Sequence, residues 1–202
     1  MDQATATLDT KSEKLIQETQ VHVSFLFFEG NFSIIIEVIF EIKKGEPKME
    51  YRMETIDFDI KIIGKGIVVQ TAESFKTIST IWENAEKDGY LQQLINLSWK
   101  ERKCTLEGIL GVCGNEAAIK EGEFTYFMGV RSDGEVPSEL GIIHISHNLW
   151  AVFPNVSNAW ERLYIDWLPN SGYELAKIPC IECYYPPNHE PSNELWVPVI
   201  VK

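Results

Sequence analysis

Positive charge is scarce in this sequence. Only 18 of the 202 residues are lysine or arginine, against 30 aspartates and glutamates, which gives a formal net charge of -12 at pH 7. Such a chain repels a phosphate backbone and has no basic stripe with which to hold one. The composition therefore argues against direct binding to nucleic acid. It would favour a cationic partner, although an acidic surface more often serves solubility alone.

Long hydrophobic runs are also missing. The longest apolar stretch, within "SIIIEVIFEI", is interrupted by Glu37 and is too short to span a bilayer. The amino terminus does not have the charged and then apolar pattern of a signal peptide. We therefore expect no membrane association and a reducing cytoplasm as the compartment. The sequons "NFS", "NLS" and "NVS" are then interpreted as chance matches.

Cysteine is limited to four positions, 104, 113, 180 and 183. The last two form a C-x-x-C, but they lie in a segment that reads as a strand, where side chains at i and i+3 point to opposite faces. This spacing argues against both a zinc knuckle and a redox pair within the motif.

Histidine and activated nucleophiles do not form a recognisable catalytic set. His144 and His147 lie close together near a predicted strand, whereas His22 and His189 lie in peripheral segments. No serine or cysteine lies in a nucleophile-elbow context, and no metal-ligand spacing occurs. We expect neither a metal nor an organic cofactor.

The order of elements in the first half of the chain, 51–131, can be read from its patterning. The strand-like segment "YRMETIDFDIKIIGKGIVV" has predicted breaks at Gly64 and Gly66. The segment "SFKTISTIWENAEKDG" has helical spacing and is predicted to end at Gly89. Two further strands, "LEGILGVCG" and "EFTYFMGV", follow it.

The second half, 141–202, repeats this order. "GIIHISHNLWAVF" is a predicted strand, "VSNAWERLYIDWL" a predicted helix that ends before Pro169, and "PCIECYYP" and "NELWVPVIV" are two more strands. The order β-α-β-β therefore occurs twice. It predicts an α+β domain built by duplication, with a ligand cleft where the halves meet.

The amino-terminal residues 1–48 belong to neither repeat. The first twenty are polar and are predicted to be disordered. "VHVSFLFFEGNFSIIIEVIFEI" is predicted to form a hairpin that turns at Glu29, Gly30 and Asn31. The segment "KKGEPK" then has the composition of a linker into the domain at 49–202.

One acid stands out in the stretch "IPCIECYYPP". Glu182 lies among β-formers and aromatic residues, and it shares a strand face with Cys180 and Tyr184. If that face is buried, an unpaired carboxylate is costly and requires a protein cation, a raised pKa or a positively charged ligand. An exposed position on the strand is the simpler alternative.

The second half resembles the GyrI-like family, also called the AraC-type effector-binding domain. The resemblance rests on "ELGIIHISHNLWAVF", on "WERLYIDWLPNSGYELAKIPCIECYYPP" and on "NELWVPVIV", and the first half is similar at "YRMETIDFDIKIIGKG" and "GILGVC". It covers about residues 49–202. The chain has no recognisable helix-turn-helix, which puts direct operator binding in doubt.

The resemblance implies a concave antiparallel sheet with an aromatic ligand pocket at a pseudo-twofold junction. In drug-sensing members, a glutamate on the strand matching "CIECYY" pairs with lipophilic cations, and the matching residue is Glu182. Coulomb attraction and cation–π contacts both suit such a ligand. The candidate walls of the pocket are the aromatic residues Trp82, Tyr126, Trp150, Tyr184 and Trp196, each of which could instead belong to the core.

Other aromatic residues are interpreted as structural. Trp160, Tyr164 and Trp167 recur at i, i+4 and i+7, which indicates one helical face packed on the sheet. Pro169 and Gly172 end the helix and turn the chain, so that Trp167 and Tyr173 are predicted to have packing roles.

Three functions are compatible with these features. The first is an effector-binding protein that captures a lipophilic cation. The second, also implied by the family, is a small hydrolase of cyclopropane-containing toxins, in which Glu182 is the base and Tyr184 stabilises developing charge. The third is a modulator of gyrase or of transcription that acts through a protein partner. A homodimer is equally compatible with the sequence.

Overall fold

The computed structural model describes residues 24–28, 31–35, 48–98, 105–114 and 122–202. The chain divides into two units, Met1–Ile42 and Lys43–Lys202. The disorder predicted for the first twenty residues falls outside the described residues, and so does nearly all of the predicted linker.

The first unit contains a pair of antiparallel strands, β1 (Ser24–Phe28) and β2 (Asn31–Ile35). Phe28 lies opposite Asn31 in their register. The turn predicted at Glu29 and Gly30 lies outside the described residues, so the hairpin stays a prediction.

The second unit is an α+β domain. Its strands are β3 (Arg52–Ile56), β4 (Ile60–Gln70), β5 (Ile109–Cys113), β6 (Glu123–Arg131), β7 (Gly141–Ile145), β8 (Asn148–Pro154), β9 (Tyr173–Leu175), β10 (Cys180–Tyr184) and β11 (Asn193–Val201). Its helices are α1 (Ser74–Lys87), α2 (Tyr90–Leu97) and α3 (Val156–Arg162). A π-helical turn, Leu163–Trp167, and a last turn, Leu168–Asn170, continue α3.

All the strand pairs of this sheet are antiparallel, and eight strands follow the order β3-β8-β11-β10-β5-β6-β4-β7, with β9 added beside β11. The order is symmetric about the central β10–β5 pair, because β11 corresponds to β6, β8 to β4 and β3 to β7. The predicted α+β class with an antiparallel sheet is confirmed. The strands β3 and β7 were not predicted separately; they precede the β-α-β-β units, and each pairs with the other half. The short strand β9 in the second half was not predicted either.

The predicted strand breaks at Gly64 and Gly66 are wrong. β4 runs through both glycines, and the chain turns instead between Ile56 and Ile60. A side chain at Gly64 would place its Cβ 2.1 Å from the backbone oxygen of Met128, so this glycine permits close approach of β6. The polar residues between β3 and β4 were the better turn signal.

Other elements also differ from the prediction. The segment "GIIHISHNLWAVF" forms two strands, β7 and β8, because the chain turns at Ser146 and His147. Gly89 ends α1 with a positive φ of 74°, as predicted, but α2 begins at the next residue and was missed. The helix predicted to end before Pro169 is α3 with the two turns that continue it, and it extends to Asn170. Proline is tolerated there because it lies in the first turn of the short terminal segment.

The sheet has a hydrophobic core on each face. Helices α1, α2 and α3 cover one face, where α1 and α2 pack on residues such as Phe124 and Met128 and α3 packs on Phe153 and Leu195. The other face contains Ile62, Val112 and Ile181 among its buried residues. Alternating side chains of each strand therefore enter different cores.

A charged contact holds the edge strand β3 to the middle of the sheet. Glu194 on β11 is 2% exposed and accepts two hydrogen bonds from Arg52, one of them 2.9 Å long from Nη2. Tyr185 donates a third, 2.6 Å long. Burial would raise the pKa of Glu194, but the bonds from Arg52 and Tyr185 outweigh it and lower the pKa.

None of the helices in the described part of the chain is long and apolar enough to cross a membrane.

Candidate functional site

Glu182 lies at the centre of the sheet and points towards the helices. It is the middle residue of β10, and β10 is one strand of the central pair. Tyr184 and Cys180 pack in the helix-covered core, whereas Ile181 and Cys183 lie in the core of the opposite face. This alternation agrees with the sequence reading, and Glu182 is only 6% exposed.

Hydrogen-bond donors surround the carboxylate of Glu182. Trp160 Nε1 donates to Oε1 at 2.8 Å, Tyr126 donates to Oε2 at 3.0 Å and Tyr184 donates to Oε2 at 3.2 Å. The neighbouring thiol of Cys113 also lowers the pKa of Glu182. Each of these donors is a neutral group, so the carboxylate is solvated without being neutralised.

Trp82 forms an outer layer over these groups. Its Nε1 donates to the Tyr126 hydroxyl at 2.9 Å, and its ring lies edge-on to Tyr184 with the centroids 4.6 Å apart. Trp82 belongs to α1 and Trp160 to α3. Both halves of the domain therefore place an indole over the same carboxylate, and both helices lie on the same face of the sheet.

Gly111 makes room for this arrangement. It lies directly opposite Glu182 in the register of β5 and β10. A Cβ at this position would lie 2.1 Å from the Tyr126 hydroxyl and 2.9 Å from Glu182 Oε2. The absence of a side chain lets the phenol reach across β5 to the carboxylate.

The electrostatics of the site follow from burial. Desolvation raises the pKa of Glu182 above its usual range, and the hydrogen bonds from Trp160, Tyr126 and Tyr184 offset this only in part. Burial and the nearby carboxylate also raise the pKa of the Tyr126 phenol and of the Tyr184 phenol, so both remain protonated donors. The site is a desolvated acid that a positive charge would stabilise.

The structure brings four of the six predicted site residues together: Glu182, Tyr184, Tyr126 and Trp82. The other two, Trp150 and Trp196, are fully buried on the opposite face, where their ring centroids are 6.3 Å apart. Their even-numbered positions on β8 and β11 point away from Glu182, because the neighbouring residues 151 and 195 point to the helices. The ligand-binding role of these residues stays a prediction, and Trp150 and Trp196 lie apart from the other four.

Sequence reasoning missed Trp160 as a site residue and assigned it to the packing stripe of the second helix. It does stack on Tyr164, with the planes inclined by 13°, but its N–H is directed at Glu182. Trp167, from the same predicted stripe, packs edge-on against Tyr51 and Phe153 and is structural. The sequence holds no signal that singles out Trp160, because the buried indoles of Trp150 and Trp167 have no acceptor among the described residues.

A concavity of about 310 Å³ lies away from Glu182, around Arg52, Tyr185, His189 and Glu194. Its buried carboxylate, Glu194, is already paired with the guanidinium of Arg52. Glu182 differs because its donors are neutral. Within the described ranges, no group of three or more histidine, cysteine, aspartate or glutamate side chains is arranged to hold a metal ion.

The fold is that of a family of small-molecule binding domains. The family model of the GyrI-like small molecule binding domain matches residues 49–200. The chain belongs to this family. A comparison with curated proteins found no match.

Two solved structures show the same fold. The structure of SAV2435 bound to tetraphenylphosphonium has a TM-score of 0.61 at 19% identity, and the alignment covers 75% of this chain and 94% of that one. A Staphylococcus aureus MU50 protein, described as a bacterial transcription regulation protein, has a TM-score of 0.55 at 20% identity, with 75% and 98% of the two chains covered.

Proposed function

We propose that this domain binds a lipophilic organic cation, with Glu182 as its counter-ion. The observation that carries the proposal is a buried carboxylate, 6% exposed, whose donors are all neutral. An ionised acid in such a place is costly unless a positive charge compensates it. A related domain of the same fold, SAV2435, has been solved with the cation tetraphenylphosphonium.

The aromatic groups around Glu182 suit the rest of such a ligand. Trp82, Tyr126, Trp160 and Tyr184 present apolar surfaces and electron-rich ring faces, and each cation–π contact contributes about 0.5 to 2 kcal/mol. Because these side chains cover the carboxylate, a ligand reaches Glu182 only when they separate. The ring contact of Trp82 with Tyr184 links the two halves over the site.

Charge selectivity tests this function. Tetraphenylphosphonium and the neutral triphenylphosphine oxide are titrated into the protein, and binding is followed by the fluorescence of the tryptophans. We expect Glu182→Gln to weaken phosphonium binding by about 2 to 5 kcal/mol, the range for removing one member of a buried charge pair. Binding of the phosphine oxide should change far less.

Glu174→Gln is the matched control, because it removes one negative charge at an exposed position of β9. It should leave both affinities unchanged. Equal losses for the charged and the neutral compound in Glu182→Gln would contradict a counter-ion role.

Hydrolysis of a strained electrophile is the second candidate function. The observation that favours it is the combination of a carboxyl of raised pKa with two phenols, Tyr126 and Tyr184, that could stabilise developing charge. Mass spectrometry of a cyclopropane-containing compound incubated with the protein would reveal addition of water. Product formation that Glu182→Gln abolishes would favour the enzyme over the binding protein.

A further inference from the structure

The two cysteines of the C-x-x-C in β10 lie on opposite faces of the sheet, and one of them lies opposite a third cysteine on the neighbouring strand. Cys183 lies in the core opposite the helices, whereas Cys180 lies on the helix side. In the strand register, Cys180 is directly opposite Cys113 on β5. The cysteine that follows in sequence is therefore not the one that is adjacent in space.

The geometry of this cross-strand pair is compatible with a bond between the sulfur atoms. Directly opposed residues of antiparallel strands have Cα atoms about 4.5 to 5.5 Å apart. Disulfides span Cα separations of about 4.4 to 6.8 Å. Both thiols are free, and neither residue as a whole is fully buried.

The same pair is connected to the carboxylate of the site. Cys113 lies two positions along β5 from Gly111, the residue directly opposite Glu182, and its thiol lowers the pKa of Glu182. Cys180, Cys113 and Glu182 occupy the same face of the central strand pair. A change in the covalent state of the thiols therefore changes how strongly the ionised form of the acid is stabilised.

We infer that Cys113 and Cys180 form a redox-sensitive pair that regulates ligand binding at Glu182; this inference rests on the proposed function. Oxidation breaks two S–H bonds and forms one S–S bond. Two electrons and two protons pass to an oxidant of the disulfide class, such as oxidised glutathione, which is reduced to two thiols. Because the Cys113 thiol is lost, the ionised form of Glu182 is less stabilised, and affinity for a cation falls.

The reaction is slow at neutral pH. Burial raises the pKa of Cys180 to about 12 and raises the pKa of Cys113 well above its usual range. The thiolate is the reactive species, so few molecules react at any moment. The oxidation therefore has to be followed over hours.

The test uses the full chain incubated with oxidised glutathione. Peptide mapping by mass spectrometry should find a cross-link between the peptides of Cys113 and Cys180. The affinity for tetraphenylphosphonium should be about 3- to 10-fold lower than in the reduced protein, a loss similar to that of one hydrogen bond. Dithiothreitol should restore it.

Matched variants separate the cross-link from the lost thiol. Cys180→Ser prevents the disulfide and keeps the Cys113 thiol, so affinity should stay high with or without oxidant. Cys113→Ala removes the thiol without a cross-link, and its affinity should be low in both conditions. Cys113→Ser supplies a hydroxyl in place of the thiol and should restore the affinity of the reduced protein.

Two results would overturn the inference. One is a map in which no cross-link joins Cys113 to Cys180, and the other is a cross-linked protein with unchanged affinity. If the reduced protein binds no cation at all, the proposed function fails and the regulation fails with it. The peptide map still decides whether the two thiols pair.

Discussion

At the scale of single residues, the buried position of Glu182 disfavours the ionised form of its carboxylate. Its pKa is raised by burial, whereas Trp160, Tyr126 and Tyr184 hold its side chain in one position. A group that destabilises the ligand-free protein is often retained because it serves function. The pH dependence of stability tests this reading directly.

A raised pKa in the folded state means that the folded protein binds a proton more tightly than the unfolded chain. The stability that Glu182 contributes is therefore present below its unfolded pKa and lost as pH rises through its folded pKa. We expect Glu182→Gln to be more stable than the wild type at neutral pH without ligand. Denaturant unfolding at a series of pH values measures the difference.

The difference should shrink as the solution is acidified towards the usual pKa of glutamate. Titration of other groups cancels in the comparison, since both proteins share them. The contrary result would be a Glu182→Gln variant that is less stable than the wild type by the same amount at every pH. It would show that the ionised carboxylate does not destabilise the folded protein.

At the scale of elements, the close contact of β5 with β10 holds the site together. Gly111 on β5 leaves the space in which Tyr126 meets Glu182. We expect Gly111→Ala to destabilise the protein by about 1 to 3 kcal/mol, as overpacking does, and to weaken phosphonium binding. Denaturant unfolding and the fluorescence titration measure the two effects.

Gly66→Ala is the control for this prediction. Gly66 also lies within a strand, but a Cβ there would meet only the side chains of Thr125 and Phe127, at 3.2 and 3.4 Å. Its cost should be clearly smaller. If the two alanine variants were equally stable and bound equally well, Gly111 would not be needed for the site.

Glycines also show how far the elements could be predicted from sequence. Gly89 ends α1 as expected, because its φ of 74° suits glycine. Gly64 and Gly111 lie inside strands, where glycine permits close approach, and local sequence does not distinguish this role from a break. Trp160 was assigned to packing for a related reason, since a helical stripe shows which side chains share a face but not which acceptor an N–H will meet.

At the scale of the whole molecule, the site is built from both halves of a duplicated sheet. β10 supplies Glu182 and Tyr184, whereas β6 and α1 of the other half supply Tyr126 and Trp82. The duplication and the face of Glu182 were predictable from element order and strand alternation. The exchange of β3 and β7 between the halves was not, because strand order depends on contacts distant in sequence.

The family match and the division of the chain predict that the second unit folds by itself. A chain that lacks residues 1–42 should unfold cooperatively within about 3 °C of the full protein. It should also bind tetraphenylphosphonium with the same affinity, since every residue of the proposed site remains. Thermal unfolding and titration provide the two measurements, and insolubility or loss of binding would show that the amino-terminal unit completes the domain.

Proton release on binding tests the counter-ion role of Glu182 most directly. Calorimetric titration of tetraphenylphosphonium near neutral pH, repeated in two buffers of different ionisation enthalpy, measures both affinity and the number of protons released. A cation lowers the raised pKa of Glu182, so the wild type should release protons, whereas Glu182→Gln should bind more weakly without any release. Equal affinity of both proteins, with the same dependence on buffer, would contradict the proposed site.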